Sequence, residues 1–226
     1  VKCELVSIQL AGRQAQNVFA ARNSSWLGAD VATSIPIYDK NNKIQHYVWL
    51  FGDTLFGSFS SVTGKREVSA MPRNSIGIMK PNDQSKQIIS DIKFDINLNV
   101  SHPKSIHTGL FSPKNGSNWL WPVSGVFYDQ KLYLFAWEVF NIASGSPFAL
   151  DFGFLGTRLI SIGNPLDSPL AWRYEIDPIP FTNNDINICS ATYVENDMLY
   201  LVGNVKNVGN TIQKMNLKDL KEKNFS

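Results

Sequence analysis

Strongly apolar runs of six or seven residues alternate with short polar turns along this chain, and one arrangement recurs three times. A run that opens on serine and ends on an acidic residue leads through a turn into a second, greasier run. It reads S-I-P-I-Y-D (34–39) then Y-V-W-L-F-G-D (47–53), S-G-V-F-Y-D (124–129) then L-Y-L-F-A-W-E (132–138), and S-A-T-Y-V-E (190–195) then L-Y-L-V-G-N (199–204). Branched and aromatic residues in runs of this length predict β-hairpins rather than helices. The second run of each pair is almost continuously apolar, as expected of a strand covered on both faces. A third strand is predicted from N-S-I-G-I-M (74–79), T-R-L-I-S-I (157–162) and T-I-Q-K-M (211–215), and a fourth from D-I-K-F-D-I (91–96) and W-R-Y-E-I (172–176). Four antiparallel strands per repeat is the pattern of a propeller blade. The predicted fold is therefore all-β, a single β-propeller domain over 1–226 with blades at 27–100, 119–181 and 186–226.

Three blades are too few for a ring, whose smallest usual number is about four. Further blades are expected beyond the C-terminus, and C-E-L-V-S-I-Q-L (3–10) is a candidate for the strand that closes the ring against the last blade. The tail N-L-K-D-L-K-E-K-N-F-S (216–226) has two readings. It resembles the N-P-L-D-S-P-L-A-W-R connection (164–173) between strands of the preceding unit, and it also places Leu217, Leu220 and Lys221 at helical spacing.

Composition adds bounds. The chain is 43% hydrophobic and 18% charged, which is ordinary for a globular domain. A net charge of +2 without a basic stripe argues against nucleic acid as a partner. The greasiest segment carries Glu138 and falls short of the roughly 20 apolar residues of a membrane helix, so no membrane partner is expected. Cys3 and Cys189 could pair or both be free thiols. Acceptor triplets at Asn23, Asn99, Asn115 and Asn224 lean toward a secreted protein.

The candidate chemistry is carboxylate chemistry. If the first hairpin is symmetric about Asn41 and Asn42, Ile37 faces His46 and Asp30 faces Asp53. Opposed residues of an antiparallel pair have Cβ atoms about 4.5–5.5 Å apart, where like charges repel. Two carboxylates at that distance titrate apart, which makes an acid and a base from one residue type. The bland reading is that Asp30 caps a turn and Asp53 opens a tight one. Glu138 is the third carboxylate, a lone charge in an apolar strand that needs a partner or a function. Arg73 and Asn74 stand close in sequence to the Asp53 loop, where an arginine orients a carboxylate or donates to hydroxyls. Trp26, Trp119 and Trp121 offer flat faces for a sugar ring or for the core. His102 and His107 match no usual zinc spacing, so no metal is expected. Phosphate loops and serine or cysteine nucleophile motifs are missing from the sequence, and no cofactor is expected.

The runs W-L-G-A-D-V-A-T-S-I-P-I (26–37), Y-V-W-L-F-G-D-T-L-F-G (47–57), R-N-S-I-G-I (73–78) and W-L-W-P-V-S-G-V-F-Y-D-Q-K-L-Y-L-F-A-W-E (119–138) resemble a domain family of five-bladed propellers, long described as of unknown function, that includes endo-D-arabinanases. The resemblance covers residues 26–141 and extends to the wider group of five-bladed propeller glycosidases. It implies a five-bladed ring of which this chain holds about three blades, and acidic residues lining a funnel at the axis. It implies Asp30 as nucleophile or base, Asp53 as acid or its tuner and Glu138 as a third member. Trp26, Arg73, Asn74 and Trp121 are the candidates for binding substrate. The chain departs from that pattern in lacking two blades and in carrying Asn204 where the first unit has Asp53. The expected function is a glycoside hydrolase-like protein cleaving or binding a furanose-containing or other complex polysaccharide. The alternative is a non-catalytic propeller that binds glycan or protein.

Overall fold

The computed structural model of the chain describes residues 26–80, 92–95, 109–113, 117–142 and 152–225. The strands are β1 (Trp26–Ala29), β2 (Thr33–Tyr38), β3 (Ile44–Phe51), β4 (Thr54–Phe59), β5 (Arg66–Ala70), β6 (Ser75–Met79), β7 (Ile92–Asp95), β8 (Trp119–Tyr128), β9 (Lys131–Asn141), β10 (Phe152–Ile162), β11 (Tyr174–Pro178), β12 (Ile186–Glu195), β13 (Met198–Val205) and β14 (Gly209–Asn216). One short helix, α1 (Leu217–Lys221), follows. The all-β expectation holds. The strands form antiparallel sheets in the orders β2-β3-β6-β7, β8-β9-β10-β11 and β12-β13-β14, with β1-β4-β5 as a small additional sheet.

Turn chemistry closes the hairpins. Asp129 and Gln130 join β8 to β9 with φ of 49° and 60°, and Asn196 and Asp197 join β12 to β13 with 49° and 61°. Two successive left-handed residues match the right-handed twist of the flanking strands. In the first hairpin Asp39 organises the turn, its Oδ1 accepting from the backbone N–H of Asn41 and Lys43 at 2.8 and 2.9 Å. Pro36 lies in β2, the edge strand of its sheet, the kind of strand in which proline is tolerated.

Burial explains the greasy second strands. In β9, Leu132, Leu134 and Ala136 point into one core with Ile35, Val48, Leu50, Ile76 and Ile160. Tyr133 and Phe135 alternate with them and enter a second core with Leu159, Ile188, Leu199 and Leu201. The central sheet is thus covered on both faces by its neighbours, and the period-2 alternation of strand side chains divides its apolar residues between the two cores. The last sheet differs: β14 alternates half-buried and exposed positions, and Tyr193 and Ile212 are exposed on its outer face.

Neighbouring sheets are stitched through their first strands. Thr33 Oγ1 donates to the carbonyl of Val123 and Thr192 Oγ1 to that of Gly125, each at 2.9 Å, and Ser124 Oγ donates to the carbonyl of Cys189. Asn74, fully buried, makes three bonds that hold the first sheet to the second. Its Nδ2 donates to the carbonyls of Phe111 and Leu120 at 2.8 and 2.9 Å, and its Oδ1 accepts from the Phe111 N–H at 2.9 Å.

The pattern left one detail open and missed another. The tail forms α1, the helical one of its two readings, because Leu217 and Leu220 bury into the second core and Asn216 caps the first turn through Lys218 N–H at 2.9 Å. The stretch between the second and third strands of the first unit is a hairpin, β4–β5, that pairs with β1. The expected ring-closing strand at 3–10, the Cys3 end of the possible disulfide, His102, His107 and the acceptors Asn23, Asn99 and Asn115 lie outside the described residues. Cys189 is a buried free thiol at φ 69°, inside a β-bulge.

Candidate functional site

The register read from symmetry about Asn41 and Asn42 runs through the first hairpin: Ile37 pairs with His46 and Thr33 with Leu50. It resumes between β1 and β4, where Ala29 pairs with Thr54 and Gly28 with Leu55. Asp30 and Asp53 sit at the break between these two ladders. The Asp30 N–H donates to the Asp53 carbonyl at 3.0 Å, and the Gly52 N–H donates to the Asp30 carbonyl at 2.9 Å. Val31, with φ 63°, turns the chain from one sheet into the next. The two aspartates are therefore backbone partners, with Asp30 exposed and Asp53 half-buried.

Asp53 is gripped from both sides. Its Oδ2 accepts from Arg73 Nη1 and its Oδ1 from Trp121 Nε1, each at 3.0 Å. The Arg73 guanidinium lies over the Trp119 ring, 4.4 Å from the centroid, so that one cation serves both the carboxylate and the aromatic face. Burial of Asp53 pushes its pKa above the ordinary carboxylate value; the Trp121 N–H and the Arg73 charge pull it back, and the charge of Asp30 adds to the rise. Two donors occupy two of roughly four lone-pair sites on a carboxylate, so the group can still carry a proton.

An aromatic cluster continues from Trp121. Its ring meets Trp119 at 6.1 Å, Phe152 at 4.9 Å and Phe154 at 6.3 Å, all edge to face. Trp137, directly opposite Trp121 in the β8–β9 ladder, meets Phe154 at 5.4 Å. Sequence reading picked out Trp119 and Trp121 here and missed Trp137, Phe152 and Phe154. Only the period-2 face shared by Trp137 and Trp121 could have signalled the first of these, and the phenylalanines needed the tertiary register.

The remaining candidates lie elsewhere. Glu138 is next to Trp137 in β9 and so projects from the opposite face of the sheet to Trp121. It is buried there, paired with Arg158 Nε and accepting from Asn118 Nδ2 at 2.7 Å. The lone charge thus has a partner in Arg158. Trp26 is 6% exposed and packs on Phe51 at 5.6 Å in the core of the small sheet. The Asn74 amide is spent on backbone groups, as described above. Among the described residues there is no group of three or more His, Cys, Asp or Glu side chains able to hold a metal ion, and no helix long and apolar enough to cross a membrane.

No curated protein matches the chain. A crystal structure at 2.80 Å resolution of a "putative hydrolase" from Bacteroides ovatus ATCC 8483 is similar in fold, with a TM-score of 0.61 and 15% sequence identity. The likeness covers 90% of this chain and 52% of that one, so the present chain spans about half the length of its neighbour. At sequence level, one family model matches residues 14–221. The strands, the two cores and the aspartate pair described above all fall within that match, and the chain belongs to the family described as "Domain of unknown function (DUF5005)".

Proposed function

We propose that this chain contributes about three blades of a five-bladed β-propeller, a single domain over 1–226, that hydrolyses a glycan with Asp30 and Asp53. The blade reading is supported by two four-stranded sheets followed by a three-stranded one, by the two cores that stack them, and by β2, β8 and β12 lying side by side. Thr33, Ser34, Gly125, Phe127, Ala191 and Thr192 from those strands line a common trough of about 450 Å³. First strands facing a shared axis are what a propeller requires.

The observation that carries the enzymatic reading is the placement of two carboxylates at one sheet break in unlike surroundings. Asp53 is half-buried, held by Arg73 and Trp121, with a raised pKa; Asp30 is exposed beside it. Unlike environments separate an acid from a base. Asp53 serves as proton donor to the leaving oxygen, and Asp30 serves as base or nucleophile at the sugar carbon. Arg73 and Trp121 hold Asp53 in place and edge the substrate site, whereas Asn74 and Glu138 act as structural supports. The substrate is a furanose-containing or other complex polysaccharide, which a secreted enzyme would meet.

One observation favours the alternative of a non-catalytic glycan- or protein-binding module: both Asp53 oxygens already accept bonds from the protein itself. Incubation with arabinan, arabinogalactan and fructan separates the two readings. Hydrolysis of one of them, abolished in Asp30→Asn, is the expected result; binding without product release, or release undiminished in Asp30→Asn, removes the mechanism.

A further inference from the structure

We propose that Trp121, Trp137, Phe152 and Phe154 form a sugar-binding surface beside Asp53, taking the apolar face of a glycan ring that adjoins the ring being cut; this rests on the glycan-hydrolase reading above. The four residues share one face of the second sheet. Trp137 lies opposite Trp121, Phe154 opposite Val139 and Phe152 opposite Asn141. Along this same face of β9, Tyr133 and Phe135 are 2% and 0% exposed, buried under the third sheet. Trp137, Phe152 and Phe154 are only half-buried, and so is Trp121. At this end the face therefore carries, over buried Val139 and Trp119, an aromatic surface that reaches solvent.

The backbone is arranged to make this surface. The β9–β10 ladder shifts register between Phe154 and Gly156, leaving Leu155 as the extra residue of a β-bulge, 43% exposed. Had the ladder run on unbroken from Thr157, Leu155 would lie opposite Val139 on this face, and Phe154 and Phe152 would point to the other side. The bulge depends on Gly156 at φ 145°, where an added Cβ would stand 2.8 Å from the Thr182 carbonyl oxygen. One inserted residue thus delivers two phenylalanines to the face that already holds Trp119, Trp121 and Trp137.

Both indoles are fixed by hydrogen bonds, Trp121 to Asp53 at 3.0 Å and Trp137 to the Ile188 carbonyl at 3.2 Å. Rigid aromatic side chains lose little conformational freedom on binding. The surface is edged by polar groups, namely the Asp53 carboxylate, the Arg73 guanidinium over Trp119, and exposed Asn141. A glycan ring presents apolar C–H faces and a hydroxyl perimeter. Such a ring matches an aromatic surface with a carboxylate and a guanidinium at its margin.

The test uses the full chain, with Asp30→Asn as background so that no glycan is consumed, and arabinan, arabinogalactan and fructan as probes. Tryptophan fluorescence follows the titration, and acrylamide quenching measures access to the indoles. The expected result is that one glycan binds and shields the indoles, and that Phe154→Ala and Phe152→Ala each weaken its binding about tenfold or more, a loss of 1.4 kcal/mol. If either variant fails to fold, shielding of the indoles in the parent protein decides alone. A glycan bound equally well by folded Phe154→Ala and Phe152→Ala, or bound without shielding, overturns the surface and leaves the hydrolase reading standing. Loss of binding in those variants with no hydrolysis by the wild type supports the surface while sinking the hydrolase reading. Failure of all three glycans to bind overturns the surface.

Discussion

The indole N–H of Trp121 in the second sheet donates to Oδ1 of Asp53 in the first, 3.0 Å away and 68 positions earlier in the chain. This bond crosses the seam between two sheets and joins the carboxylate to the aromatic cluster. Several testable properties of the protein depend on that seam.

Trp121→Phe keeps a ring in the cluster but removes the donor. A hydrogen bond to a charged acceptor contributes about 1.5–3 kcal/mol, and solvent access to Asp53 brings the expected loss down to about 1 kcal/mol. Urea denaturation measures it. The pKa of Asp53 should rise further, because the Trp121 N–H stabilises the ionised form. Fully retained stability together with an unmoved Asp53 pKa, followed by NMR of the side-chain carboxyl, would show that the bond carries no weight.

The raised pKa of Asp53 also sets a pH dependence of stability. A carboxylate that ionises less readily when folded binds more protons in the native state than in the unfolded one. Its contribution to stability is therefore lost as pH rises from the ordinary carboxylate range through the raised folded value. The stability of the wild type relative to Asp53→Asn should fall across that window. A difference that stays flat or climbs as pH increases would contradict it.

Asn74→Ala should be among the more damaging single changes. It strands two carbonyls and one N–H that are buried at the first seam, and each such group costs about 1–3 kcal/mol when left unsatisfied. A loss of about 3 kcal/mol or more is expected by chemical denaturation. A loss below about 1 kcal/mol would mean that water replaces the amide.

Arg158→Met leaves the buried Glu138 carboxylate with Asn118 as its remaining partner. Removing one partner of a buried ion pair costs about 3–5 kcal/mol, toward the lower figure here because Arg158 is itself partly exposed. The double change Arg158→Met with Glu138→Leu should recover much of the loss. A double variant no more stable than the single one would show that the pair is held for something besides charge balance.

Cys189 is wholly buried, and that burial pushes its thiol pKa well up. Iodoacetamide should label it only after unfolding, because the thiolate is the reactive form. Peptide mass spectrometry at this position provides the measurement. Rapid labelling of the native protein would mean that the bulge opens at the seam between the second and third sheets.

Local pattern was enough to specify the strands, because runs such as L-Y-L-F-A-W have no stable exposure: they need cover on both faces, and β9 has it. The Ile37–His46 register was legible for the same kind of reason, since a hairpin's turn sets the pairing of every position beyond it, as far as Asp30 and Asp53. The inserted hairpin β4–β5 was obscured by its polar tip and by Val68, Phe59 and Val62, whose exposure follows no clean alternation.

Which residues meet was decided by tertiary structure. Glu138 and Trp137 are neighbours in sequence, yet the pleat sends one to Arg158 in the first core side and the other toward the third sheet. Asn74 looked like a ligand to sugar hydroxyls and instead satisfies backbone groups that no local pattern could place near it. The bulge at Leu155 depends on contact between Gly156 and Thr182, and through it the face of Phe152 and Phe154. By itself the sequence determined that there would be repeated antiparallel hairpins with two aspartates abreast, because those features follow from side-chain period and turn symmetry. Only the packing of one sheet on the next decided that Asp53 would be held by Arg73 and Trp121, because those partners come from strands that local chain geometry does not bring together.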